Sequence, residues 1–290
     1  MPDVLAIFGP TASGKTAVAE ALAARLPGEL VSADSMQVYR GLPILTNQSE
    51  RPARLVGMWP LSHEASLGEY QSLAHAAIDE ILATNRTPIV VGGTGLYLRA
   101  ALAELELPPA PLPGARGRWS AFYDERGKEA AHAELAALDP EAAAAVHPND
   151  RRRVVRALEL VEAGTSLRPE RNRLWTNETR HPTLIIGLEV AKETLERRIA
   201  ERTEAMFEAG VDAEVRQALS AELSPTALQV IGLREVSELA RADAIDAIVQ
   251  RTRRYAAYQR KWLRRIPGIV MIDANRPADE VADEVFANFL

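Results

Sequence analysis

Short apolar runs alternate with helical stripes through the first hundred residues. VLAIF at 4–8 stops at Gly9-Pro10 and predicts a strand buried on both faces. KTAVAEALAARL at 15–26 places Val18, Leu22 and Leu26 four apart, which predicts a helix ended by Pro27-Gly28. Leu30–Ala33 reads as a second strand ending at Asp34. Residues 69–83 return to helical spacing through Tyr70, Ala74, Ile78, Ile81 and Leu82, and residues 88–91 give a third buried strand stopped by Gly92-Gly93. The alternation predicts an α/β fold with a parallel sheet. ELPPAPLPG at 106–114 carries four prolines and reads as a stiff connector. From about 115 to 180 only helical pattern and loops follow. TLIIGLEV at 183–190 resumes the sheet and Ile269–Ile272 adds a fifth strand. The expected organisation is an α/β core from 1–110 and 182–290 with a helical insertion domain at 111–181. No internal repeat is found.

Composition narrows the chemistry. The 290 residues are 47% hydrophobic and 26% charged, the balance of an ordinary globular chain. There is no cysteine, which excludes disulfides, cysteine-ligated zinc, iron–sulfur clusters and a thiol nucleophile. No run reaches 18 apolar residues, so no membrane partner is expected. The start lacks a basic leader, so a cytoplasmic protein is expected. The net charge of −6 argues mildly against nucleic acid, but charge is unevenly spread. RTRRYAAYQRKWLRR at 251–265 holds seven basic residues and no acid, and Arg151, Arg152, Arg153 and Arg156 form a second cluster.

Gly9-Pro10-Thr11-Ala12-Ser13-Gly14-Lys15-Thr16 matches the phosphate-binding loop pattern between a strand and a helix. Its glycines let backbone N–H groups converge on an anion, and the following helix adds its positive end. Lys15 supplies a point charge, and the Thr16 hydroxyl is a candidate Mg²⁺ ligand. This context predicts a P-loop NTPase-like parallel sheet core. Asp34 falls at the carboxyl end of the second strand, where open parallel sheets bind ligands. It can bind Mg²⁺, cap a following helix or act as a general base. In Val91-Gly92-Gly93-Thr94-Gly95-Leu96-Tyr97 the paired glycines permit close approach to a ligand or make a plain turn, and Thr94 offers a hydroxyl.

HPNDRRRVVRALE at 147–159 places Arg152 and Arg156 on one helix face, which suits a solvated surface or a grip on a nucleic-acid backbone. Arg216 lies on a helix in AEVRQAL. QVIGLRE at 229–235 interrupts a helical pattern with Gly232, which suggests a bend or close approach. Tyr255, Tyr258 and Trp262 interleave with arginines, an arrangement that stacks on unpaired bases or forms a core stripe.

In order along the chain, GPTASGKT, SADSMQVYRGL, PIVVGGTGLYL, HPNDRRRVVRALEL, AEVRQAL, QVIGLREV and the basic tail resemble the tRNA dimethylallyltransferases, or tRNA isopentenyltransferases. HPND-x-x-R-V-x-R-A-L-E together with VGGTGLY carries most of the specificity. The resemblance implies transfer of a five-carbon allyl group from dimethylallyl diphosphate to the exocyclic N6 amine of an adenosine 3′-adjacent to the anticodon. It implies that residues 9–16 hold the diphosphate, with Mg²⁺ on Thr16. It implies Asp34 as the base, with Arg216 and Lys15 steadying the leaving group. It places Asp34, Ser35, Met36, Gln37, Thr94, Arg116, the Arg152, Arg153, Val154, Val155, Arg156 run, and the Val230–Glu235 segment with Gly232 and Arg234 against tRNA. A monomer is expected.

The chain departs from the family pattern at Gln48, where a basic residue is usual, at Ala53 in place of a histidine segment, and at Ala257 and Tyr258 where Lys-Arg is common. Three other readings fit parts of the pattern: a P-loop kinase of small molecules or nucleotides, with Arg197, Arg198 and Arg202 on a helix; an adenylate isopentenyltransferase; and a tRNA-binding protein without catalysis. The helical insertion and basic tail favour a macromolecular acceptor.

Overall fold

Strand β1 (Val4–Phe8) is buried along its whole length, as a continuous apolar run with helices over both faces requires. The computed structural model of the chain describes residues 2–167 and 173–289; residues 168–172 of the expected insertion lie outside the described residues. After β1 come α1 (Lys15–Arg25), β2 (Gly28–Ser32), β3 (Ala53–Arg54), α2 (Leu67–Ala83), β4 (Thr87–Gly92) and α3 (Gly95–Leu102). Helices α4 (Ala115–Arg126), α5 (Lys128–Leu138), α6 (Pro140–Ala145) and α7 (Arg151–Glu162) form the insertion. The chain resumes with β5 (Thr183–Glu189), α8 (Lys192–Glu208), α9 (Val211–Ala218), α10 (Leu233–Glu238), α11 (Arg241–Leu263), β6 (Ile269–Asp273) and α12 (Ala278–Phe289). Among the described residues no helix is long and apolar enough to cross a membrane.

The six strands are all parallel, in the order β3-β2-β4-β1-β5-β6. The five strands expected from pattern are present. The sixth, β3, is two residues long and too short to leave a periodic signal. Leu5 and Ile7 alternate onto one face with Leu30, Ile89, Ile186 and Leu188. Val18 and Leu22 of α1 and Val281 and Val285 of α12 cover them. Phe8 pairs with Gly92, and Val91 pairs with Ser32. This register makes β1, β4 and β2 end level, so the segments leaving them share one edge. That edge lies at the switch point where the chain turns from one side of β1 to the other, the ligand-binding position of open α/β sheets.

The structure resolves into two compact units, Met1–Glu104 with Leu174–Leu290, and Leu105–Arg173. These divide a few residues earlier than the 110/111 and 181/182 boundaries expected from sequence. The second difference has a physical cause. Arg99 of α3 is fully buried and donates to the carbonyls of Leu174 (3.1 Å), Thr176 (3.0 Å) and Glu178 (3.2 Å), which tie the returning chain to the sheet unit. The Trp175 and Trp262 rings pack at a tilt with centroids 4.9 Å apart, and the Arg265 guanidinium lies over the Trp175 ring at 3.9 Å.

Hydrogen bonds from a charged donor contribute more than neutral ones, so Arg99→Leu is expected to remove about 3 kcal/mol of stability. The readout is a lower urea midpoint at unchanged slope. An unchanged midpoint would show that the return segment is held by other means.

Candidate active site

The loop leaving β1 has the geometry of an anion nest. Ala12 has φ +64° and Gly14 has φ +86°, a left-handed pair that turns successive N–H groups inward. A side chain at Gly9 would meet the Ser13 hydroxyl at 2.5 Å. Gly14 occupies the N-cap of α1, so the N–H groups of the first turn have no intrahelical acceptor and face the same space. Lys15 Nζ reaches back to the Pro10 carbonyl at 3.5 Å. Burial lowers its pKa to about 8; the Asp34 carboxylate opposes that shift, and the Arg202 cation adds to it. Thr11 departs from expectation in one respect. Its backbone N–H is already donated to Gln259 Oε1 at 2.8 Å, so only its side chain is left for a ligand.

Asp34 follows β2 in a turn, and no helix begins there. Its Oδ1 accepts from the Met36 N–H at 3.0 Å, an Asx turn that replaces the helix cap considered from sequence. The half-buried carboxylate lines one cavity with Lys15, Thr16, Gln37 and Arg202. It also lines a second, adjoining cavity with Met36, Leu45, Met206, Ile231 and Ile248. Gln37 holds the roof by donating to the carbonyls of Thr46 and Asn47 at 3.2 Å each. Gln48, the departure from a basic residue, braces the same loop through the Tyr39 carbonyl at 3.3 Å. Ala53 lies in β3.

The Thr16 hydroxyl and the Asp34 carboxylate line the same cavity. Among the described residues no group of three His, Cys, Asp or Glu side chains could hold a metal alone. Two hard oxygen donors beside an anion nest suit Mg²⁺, which keeps water and shares phosphate oxygens.

The glycine turn after β4 serves the protein itself. A side chain at Gly92 would lie 2.0 Å from the Ala33 carbonyl oxygen, at Gly93 2.3 Å from Gln259 Nε2, and at Gly95 2.3 Å from the Trp262 ring. The close approach these glycines permit is thus made by Ala33, just after β2, and by α11. Thr94 accepts from the Ser35 N–H at 3.2 Å and bonds the Tyr255 hydroxyl at 3.1 Å, which holds the Asp34 turn against α11. Burial, reinforced by the Asp34 charge, raises the Tyr255 pKa well above its ordinary value. Tyr255 and Trp262 therefore pack inward, and of the three aromatics only Tyr258, 55% exposed beside exposed Ala257, faces solvent.

Arg216 is exposed on α9 and is not among the residues lining these cavities. The helix turns Val211, Val215 and Ala218 inward, which points position 216 outward. Glu214 on the same helix accepts the N–H groups of Ile44 (2.8 Å) and Leu45 (2.7 Å) and so carries the roof loop. Arg202 of α8, considered from sequence only in the kinase reading, lines both cavities. Gly232 starts α10 at φ +99°, where a side chain would meet Leu45 at 2.5 Å; Arg234 is exposed.

The sequence model of the family described as IPP transferase matches residues 37–266, and that of isopentenyl transferase matches residues 2–54. The chain belongs to the IPP transferase family. It is 41% identical to a tRNA dimethylallyltransferase of Corynebacterium jeikeium, over 94% of this chain and 92% of that one. It is 39% identical to that of Thermobifida fusca, over 99% and 94%. Among solved structures it resembles a tRNA isopentenylpyrophosphate transferase from Bacillus halodurans. There the TM-score is 0.71 at 32% identity, with 100% of this chain and 96% of that one covered. A eukaryotic dimethylallyltransferase acting on tRNA gives a TM-score of 0.74 at 26% identity, over 99% and 80%.

The IPP transferase motif HPND opens α7 in the helical unit. Asp150 caps the helix by accepting the Arg153 N–H at 3.1 Å, and Pro148 accepts the Tyr123 hydroxyl at 2.7 Å. Val154 and Val155 are buried in the core of this unit, so their side chains are packing residues and not RNA contacts. Arg116 and Arg156 both grip the buried Glu159, at 3.0 and 2.9 Å, and Arg151 pairs with Asp124. Arg152 and Arg153 are exposed. The face expected to carry Arg152 and Arg156 alike is thus split, with only Arg152 facing solvent.

Gln259 bridges the nest to the glycine turn, accepting from Thr11 and donating to the Gly93 carbonyl at 2.8 Å. Gln259→Leu leaves both backbone groups unpaired and is expected to cost about 2 kcal/mol. Pyrophosphate affinity should fall along with the melting temperature. A destabilised variant that binds pyrophosphate normally would separate the nest from α11.

Proposed function

We propose that this protein transfers a dimethylallyl group from dimethylallyl diphosphate to the N6 amine of the adenosine 3′-adjacent to the tRNA anticodon. The observation that carries the reading is that Asp34 lines both the chamber of Lys15, Thr16 and Arg202 and an adjoining one whose apolar part is Met36, Leu45, Met206, Ile231 and Ile248. A charged head with a short apolar tail matches that pair of chambers, and a carboxylate between them stands where the tail joins the head. The relatives named as acting on tRNA support the same acceptor.

The residues perform distinct tasks. The nest and Lys15 bind the diphosphate and take up the charge that develops as the allylic carbon–oxygen bond breaks. Both bonding electrons leave with the diphosphate. The amine nitrogen then forms its bond to the allylic carbon, and Asp34 accepts the proton the amine loses. Thr16 would hold Mg²⁺ beside the diphosphate, where the ion would supply additional charge neutralisation. The adenine must leave its stack to reach Asp34, which costs a few kcal/mol. Exposed Arg152, Arg153 and Arg234, with the basic face of α11, offer phosphate contacts that offset it. The reading takes the protein to be a monomer that acts on tRNA in the cytoplasm.

Incubation with labelled dimethylallyl diphosphate and tRNA should place label in tRNA, while ATP with small acceptors should give no transfer. Turnover with ATP alone would contradict the assignment. Asp34→Asn should cut turnover by about 10²-fold or more while leaving tRNA affinity within a few-fold. Undiminished turnover would mean that another group takes the proton.

A further inference from the structure

The chamber that adjoins Asp34 on its apolar side is small. Its free volume is about 60 Å³. A water-sized group needs roughly 10–15 Å³ of such space, so about five groups of methyl size fill the chamber. Leu45, Ile231 and Ile248 border it and do not border the phosphate chamber, so they form the part away from Lys15.

Two features put Leu45 there. The first is the turn it sits in. The Thr46 N–H donates to the Leu42 carbonyl at 3.0 Å and the Gln48 N–H to the Pro43 carbonyl at 2.9 Å. Like the start of a helix, such a turn leaves its first N–H groups without an acceptor of their own. Glu214 of α9 takes both, Ile44 on one carboxylate oxygen and Leu45 on the other. Burial raises the Glu214 pKa, and those two N–H groups oppose the shift. The second feature is Gly232. A Cβ at that position would lie 2.5 Å from Leu45 Cδ1 and 3.5 Å from Ile248 Cδ1. Leu45 therefore fills the space that a side chain at position 232 would take, and it is buried there. Leu45, Gly232 and Ile248 make one continuous apolar stop.

A stop packed at this density yields only by forcing side chains from their rotamers. Isoprenoid tails lengthen in five-carbon steps, so the next homologue needs about twice the chamber. We propose that Leu45 limits the donor to a five-carbon allyl group, and that Glu214 is the positioning residue that holds Leu45 in place. This rests on the transferase reading, with the tail in the apolar chamber. Neither residue borders the phosphate chamber, so head group and tail are read by separate parts of the site.

The test compares kcat/KM for dimethylallyl diphosphate and its ten-carbon homologue, geranyl diphosphate, with tRNA as acceptor. The ratio of the two does not depend on the fraction of enzyme that is folded. Wild type should favour the five-carbon donor by about 100-fold or more. Leu45→Ala should raise the relative use of the ten-carbon donor at least tenfold. Glu214→Ala should move the ratio in the same direction, and Glu214→Gln, which keeps one acceptor oxygen, should lie between it and wild type. An unchanged ratio in Leu45→Ala would overturn the role of Leu45. Equal losses with both donors in Glu214→Ala would show that Glu214 is merely structural and overturn its part. Should Leu45→Ala fail to fold, Leu45→Phe supplies the converse. The KM of the five-carbon donor should then rise at least tenfold with pyrophosphate affinity within twofold, and an unchanged KM would overturn the proposal. A wild type that uses both donors equally would overturn the length limit alone. A wild type that transfers neither to tRNA would overturn the transferase reading itself.

Discussion

The register of three parallel strands is the constraint from which the site follows. Because Phe8 pairs with Gly92 and Val91 with Ser32, the phosphate loop, the Asp34 turn and the Thr94 turn leave the sheet at one level. Gly92 sets how closely the last two can meet, since the Ala33 carbonyl occupies the space a side chain would need. Gln259 and Tyr255 of α11 then lock the nest and the Asp34 turn to the same helix. The carboxylate is thereby fixed relative to the lysine without any direct bond between them. Preorganisation of this kind lets charge be stabilised with little movement during reaction.

Electrostatics gives the edge its polarity. Lys15 and Arg202 lie within reach of one carboxylate, and burial disfavours charge on both cations. The empty nest is therefore a poor home for two positive groups. The second chamber shares Asp34 and Arg202 with the first and adds an apolar part of Met36, Leu45, Met206, Ile231 and Ile248. The helical unit follows a different rule. In it Arg116 and Arg156 are neutralised by Glu159, Arg151 by Asp124 and Arg118 by Glu162, while Arg152 and Arg153 are exposed.

Strands β1, β2, β4, β5 and β6 and the phosphate loop were legible because each rests on local pattern, an apolar run or a fixed spacing. The position of Asp34 was legible because a strand end is a local feature too. What the residues around it do was less so. The glycines of VGGTG look the same in sequence whether a ligand or Trp262 presses against them. HPND reads only as a family motif, and its Asp150 caps a helix. Arg202 and Arg216 are both lone arginines on helices, and only the packing of α8 and α9 turns one inward and the other out. Strand β3 has too few residues to show a period.

The central claim is that one chamber gathers the nest, Lys15 and Asp34 around a single diphosphate. A crystal structure grown with magnesium pyrophosphate tests it most directly. The account predicts both phosphate groups within the loop of residues 9–16, in contact with Lys15, with the Asp34 carboxylate open to the adjoining chamber. Pyrophosphate bound elsewhere, or Asp34 turned out of that chamber, would contradict it.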